Sequence, residues 1–241
     1  MNVLAIELRK QRRTGVALIL PAVGGLGAAY AFVNFAVRGE ALLSFPLPPM
    51  DVLLTQVYGM IMALNLFGIV AAACIAYNME FRGGALKKLR VLPISVPAVF
   101  LCKWALLAAL LACALSVQGL ALAKIGVAYL PSGAFAPQTL ARFMAYAFIT
   151  SMPVLSFMLL VASRLENIWA PLGVGVAGFL SGMALANVDA RFMLIHPFVV
   201  MLKPAAAMSA QCDGCVAVAA LLETLACAAA GARLARIPER A

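Results

Sequence analysis

The chain has 241 residues, 65% apolar and 11% charged, with 18 Lys and Arg against 9 Asp and Glu for a net charge of +9. Soluble domains are about half apolar and about a quarter charged, so this balance excludes an ordinary soluble domain or an extracellular module. The charges gather in short clusters between apolar runs of about 20 residues, the length that crosses a hydrocarbon layer of roughly 30 Å at about 1.5 Å per helical residue.

The alternation of apolar and polar residues that a β-barrel needs is missing. The expectation is an all-α membrane protein, one transmembrane domain over residues 1–241, with six transmembrane helices. Before the first of them, Leu4 and Leu8 share a helical face, with Arg9, Lys10, Arg12 and Arg13 supplying charge. That pattern predicts an N-terminal interfacial helix.

The apolar runs fall at residues 16–37, 52–77, 98–123, 143–163, 168–187 and 215–232. The first follows a basic stretch, as a signal sequence would. It outruns the roughly 7–15 residues of a signal core and five similar runs follow, so it reads as a retained helix. Pro46, Pro48 and Pro49 mark the first loop, and Pro131, Gly133 and Pro137 break the third. Residues 164–167 form a very short fourth connection, while the fifth, 188–214, is long and apolar.

Lys and Arg set the orientation. With the N-terminus inside, thirteen of them lie on the inner side and five (Arg38, Lys124, Arg142, Arg191, Lys203) on the outer. Both termini are therefore expected to be cytoplasmic. This placement also accounts for the positive charge without nucleic acid: no basic patch with interleaved aromatics and no nucleic-acid motif occurs.

Conventional catalysis finds little to use. The chain has no Gly-x-x-x-x-Gly-Lys-Ser/Thr phosphate loop, no His-Glu-x-x-His and no Gly-x-Ser-x-Gly. Its single histidine, His196, lacks a second nitrogen ligand for zinc. Glu223 is the costliest residue, mid-way along the sixth run, where an acid costs about 2.5–3.5 kcal/mol to insert. It reads either as a carboxylate on a substrate or proton path, or as a protonated acid hydrogen-bonded between helices.

Cys212 and Cys215 could pair in an oxidising outer compartment. Cys74, Cys102, Cys113 and Cys227 read as small packing residues. Gly178 and Gly182, with Gly175 before them, form a stripe of small residues that lets another helix approach closely.

The basic loop before the third run is the most informative. Gly83 and Gly84 end the preceding helix; Ala85, Leu86, Leu89 and Leu92 then share one face, with Lys87, Lys88 and Arg90 off it, and Pro93 closes the segment. A short amphipathic helix at the cytoplasmic surface follows. Two readings stay open: a basic loop resting on lipid, or a docking helix that transmits motion from a cytoplasmic partner.

With these residues in view, the chain resembles the permease subunits of type-2 ABC exporters, especially the lantibiotic-protection and bacitracin-resistance group. The resemblance spans nearly the whole length. Glu7-Leu8-Arg9-Lys10 with Arg12-Arg13 is similar to the family's acidic-then-basic opening. Glu80 through Leu92-Pro93-Ile94-Ser95 is similar to its segment before the third helix, although Ala85-Leu86 stand where the family often has an aromatic. Residues 163–167 and Pro197 match its short inner turn and its outer proline.

The resemblance implies a permease in a bacterial plasma membrane that does no bond chemistry and binds no cofactor, ATP being bound by a separate subunit. It implies pairing with a second permease, identical or related, and with an ABC ATP-binding subunit. Glu80, Arg82, Leu86, Lys87, Leu89 and Pro93 would form the ATPase-coupling helix, with Lys87 and Lys88 against membrane lipid or acidic partner residues. The cargo would be an amphiphilic peptide antibiotic such as a lantibiotic. A different class, a secondary transporter using Glu223 as a proton site, would transport without a partner. A membrane-embedded enzyme or scaffold finds little support, because polar residues do not converge at one depth of the predicted helices.

Overall fold

The computed structural model describes residues 7–11, 15–43, 46–81, 96–131, 133–186, 188, 191–203 and 214–234. Among them there is no strand. Residues 7–11 are helical, and the remaining helices are α1 (Val16–Leu43), α2 (Pro49–Phe81), α3 (Val96–Tyr129), α4 (Pro137–Ala162), α5 (Trp169–Leu185), α6 (Pro197–Leu202) and α7 (Gly214–Leu234). A 3-10 turn, Arg191–Ile195, precedes α6. The chain is a multi-pass membrane protein: α1–α4 and α7 are each long and apolar enough to cross a bilayer, and the apolar α5 has 17 residues.

The helices outrun the apolar runs that announce them. α2 has 33 residues and α3 has 34, about 50 Å each at about 1.5 Å per residue, well beyond the hydrocarbon layer of roughly 30 Å. α2 is the centre of the bundle: Leu53, Leu54, Val57, Tyr58, Ile61, Met62, Leu66 and Ile69 are all buried. α1 lies against α3 through Gly24 and Gly27. A methyl group on Gly24 would stand 2.7 Å from Ala114 Cα, closer than packed atoms come.

Pro153 removes a backbone donor inside α4. Around it, the hydroxyls of Thr150, Ser151 and Ser156 donate to the carbonyls of Tyr146, Ala147 and Met152 at 2.9, 2.7 and 2.9 Å. Trp104 of α3 in turn donates its indole N–H to Ser156 Oγ at 2.8 Å, tying α3 to α4.

The long apolar connection after α5 returns into the bundle. Pro197 starts α6, where its missing N–H costs nothing, and Phe198–Leu202 are all buried. The glycine stripe of α5 receives this helix within the same chain. Methyl groups on Gly178 and Gly182 would meet Phe198 at 2.4 and 3.0 Å, and one on Gly175 would meet Val70 of α2 at 2.5 Å. At the far end of α6, Tyr58 Oη donates to the Met201 carbonyl at 3.1 Å, satisfying an acceptor that the helix end leaves open.

Candidate functional site

Four charged side chains from three parts of the chain meet at one face of the bundle. Glu7 and Lys10 lie one turn apart in the N-terminal helical stretch, joined at 2.8 Å. Glu80 comes from the last turn of α2 and Lys103 from the second turn of α3. Lys103 Nζ pairs with Glu7 and with Glu80, the latter at 2.8 Å, while Lys10 reaches Glu80 at 3.5 Å.

Glu7, Glu80 and Lys103 are buried, whereas the Lys10 side chain remains 37% exposed. An unpaired buried charge would be prohibitive, so two carboxylates matched by two ammonium groups is the arrangement burial requires. Lys103 also sits 5.7 Å from the centre of the Tyr77 ring, a favourable face for a cation.

The electrostatics follow from this geometry. Burial opposes ionisation of Glu7, but Lys103 and Lys10 outweigh it and hold its carboxyl below the ordinary 4.5. Burial likewise opposes the charge on Lys10, and Glu7 and Glu80 outweigh it, raising that ammonium above its ordinary 10.5. Gly15, at a φ of +73° that glycine adopts without strain, stands at the corner where the N-terminal stretch gives way to α1.

The cluster therefore fastens the N-terminal stretch to the end of α2 and the start of α3. Those two ends flank residues 82–95, which carry Arg82, Leu86, Lys87, Leu89 and Pro93 and lie outside the described residues. Of the expected coupling residues only Glu80 is described, and its carboxylate is engaged by Lys103 and Lys10. Lys10, expected among the headgroups, is turned into the same cluster; Leu4, Arg12 and Arg13 lie outside the described residues.

Phe100, one turn before Lys103, packs so closely on Gly231 that a methyl there would come within 2.2 Å. The end of α7 thus reaches the same face as residues 7–11. Glu223 stands two turns before Gly231 on α7, away from the charged cluster. Both its carboxylate oxygens are buried and have no hydrogen-bond partner among the described residues. Cys215 opens α7, exposed to the surroundings, and Cys212 lies outside the described residues. His196 Nε2, just before α6, lies 3.3 Å from Ser181 Oγ of α5.

One polar pair was missed by the reading that polar groups do not converge. Asn65 and Gln118, both fully buried, exchange two hydrogen bonds between α2 and α3, Asn65 Nδ2 to Gln118 Oε1 at 3.1 Å and Gln118 Nε2 to Asn65 Oδ1 at 2.9 Å. Gly27 of α1 lies flat against this amide. Two carboxamides, each inside an apolar run, were the available signal. Lys103 offered another: a lysine within the third run has no acid three or four residues away on its own helix, so its partner had to come from elsewhere.

No curated protein and no solved structure matches the chain. The family model described as ABC-2 family transporter protein matches residues 3–182, about three quarters of the sequence, from the N-terminal helical stretch through α5. The chain belongs to this family, a membrane component of ABC transporters.

Proposed function

We propose that the chain is the permease subunit of an ATP-driven exporter in a bacterial plasma membrane, working with a separate ATP-binding subunit and a second permease, identical or related. The face carrying the charged cluster is cytoplasmic, in keeping with thirteen Lys and Arg against five. The Glu80–Pro93 segment, whose residues from 82 on lie outside the described ones, serves as the coupling helix that the family resemblance implies and rests on the ATPase. The cargo is an amphiphilic peptide antibiotic such as a lantibiotic, expelled for self-protection or resistance.

The observation that carries this reading is the pairing of Lys103 with both Glu80 and Glu7. A push on residues 82–95 bears on the ends of α2 and α3, two rods of about 50 Å. The buried ion pairs hand the same push to the N-terminal stretch and so to α1. A joint of this kind lets one surface helix move three membrane helices together.

Co-expression with a P-loop subunit tests it. The purified chain alone should show no ATPase activity, and Leu86→Asp with Leu89→Asp should uncouple the complex without affecting membrane insertion. Unimpaired partner-driven export by that variant would remove the docking role. The competing secondary transporter draws on the Glu223 carboxylate, which has no hydrogen-bond partner among the described residues. Transport by the chain alone, abolished in Glu223→Gln, would favour it.

A further inference from the structure

A groove of about 760 Å³ runs between α4, α7 and the returning segment, within the range of roughly 300–1,000 Å³ usual for small-molecule sites. Its walls include Phe157 of α4, Leu194 and Ile195 of the 3-10 turn, and Val218 and Leu222 of α7. Ile195 is 79% exposed and Leu222 63%, so the groove opens sideways, toward lipid for a helix in a bilayer. It extends from Gly214 to Cys227, about 20 Å along α7.

Among the described residues of these walls Glu223 is the single acid, and none is basic. Its carboxylate lies about 14 Å below the start of α7, its oxygens buried and without a hydrogen-bond partner among the described residues. The neighbouring hydroxyl of Thr224 donates to the Ala220 carbonyl at 2.7 Å and is spent on its own helix. An acid at such depth ordinarily pairs with another group or faces a wet cavity. Among the described residues its surroundings are apolar and hold no counter-charge.

We propose that this groove binds a lipophilic cation, with Glu223 as the counter-charge. The depth of the carboxylate selects the class. A strongly hydrated ammonium on a lipid-like tail would hold to the interface, whereas a cation sheathed in apolar groups can follow the apolar walls inward. This goes beyond the exporter reading: the groove is a small-molecule site separate from the amphiphilic peptide proposed as cargo, and it does not depend on that reading.

The test uses the purified full chain in nanodiscs of zwitterionic lipid, without ATPase or nucleotide. The probe is labelled tetraphenylphosphonium, with tetraphenylborate as a nearly isosteric ion of opposite sign. Saturable binding of the cation, at least tenfold tighter than that of the anion and weakened at least tenfold by Glu223→Gln, is the expected result. Val218→Trp, which fills the groove and leaves Glu223 in place, should also abolish binding while preserving helicity and gel-filtration behaviour.

Equal binding of the two ions, binding indifferent to Glu223→Gln, or no saturable binding would each overturn the proposal. The last would mean that a lipid tail or a second copy fills the groove. Because no partner is present, failure here leaves the ATPase docking untouched, and failure of docking leaves this binding result standing.

Discussion

Lys103 Nζ lies 2.8 Å from Glu80 while also holding Glu7, so a single buried ammonium joins α2, α3 and the N-terminal stretch. Removing it leaves two buried carboxylates with only the half-exposed Lys10 between them. Breaking a buried ion pair from one side costs about 3–5 kcal/mol. Lys103→Met should therefore lower thermal stability in detergent sharply. The double variant Lys103→Met/Glu80→Met should recover part of the loss, because Glu7 and Lys10 then remain as a balanced pair. Additive losses would show that the two residues do not interact.

The cluster also sets a pH window. Glu7 is held below its ordinary 4.5, so its contribution is fully present above pH 4.5 and is lost as the pH falls through the lowered value. Lys10 is raised above 10.5, so its contribution is full below pH 10.5 and lost as the pH rises through the raised value. Protection of amides 7–11 from hydrogen exchange, corrected for the intrinsic rate, should stay level between these limits and fall outside them. A decline centred near pH 6 or 7 would point to a different group.

Asn65 and Gln118 give each other their hydrogen bonds in the middle of the bundle. Asn65→Leu alone should cost about 1 kcal/mol or more, since Gln118 is left with unpaired polar atoms. Asn65→Leu with Gln118→Leu should be milder than the sum of the single changes. Thermal unfolding of the four proteins in one detergent measures the coupling.

Gly178 has no room for a side chain beneath the Phe198 ring, which meets Phe157 edge-on at 6.0 Å. Gly178→Ala should displace α6 and cost about 1–3 kcal/mol through overpacking. Adding Phe198→Ala should relieve the clash and cost less than the two changes added. A fully additive pair would place α6 elsewhere.

Much of the helical layout was legible in the sequence because hydrocarbon thickness imposes itself on apolar run length. The run at 52–77 became Pro49–Phe81 and the run at 98–123 became Val96–Tyr129. Hydropathy marks only the part of a helix that lies in hydrocarbon; Asp51, Glu80 and Lys124 ride on the same helices beyond it. The return of α6 was illegible: Phe198–Leu202 is apolar within an already apolar connection, and Pro197 marks a helix start without saying where that helix goes.

The charged cluster was hidden for another reason. Glu7, Glu80 and Lys103 are far apart in sequence, and periodicity reports neighbours on one helix, never partners on another. Glu80 carried a signal as part of the coupling pattern, and Lys103 counted toward orientation. Their meeting is a product of packing. Glu223 was visible from cost alone, but the groove beside it needed three elements to be in place.

The proposed function requires that an ATPase load the segment between α2 and α3 from the cytoplasm. A cysteine at position 86, in a chain whose six native cysteines are replaced, tests it directly with a membrane-impermeant maleimide. Labelling is expected in inside-out vesicles and not in intact cells, with protection by the co-expressed P-loop subunit. Labelling of intact cells, or labelling in vesicles that the subunit leaves unchanged, would contradict it.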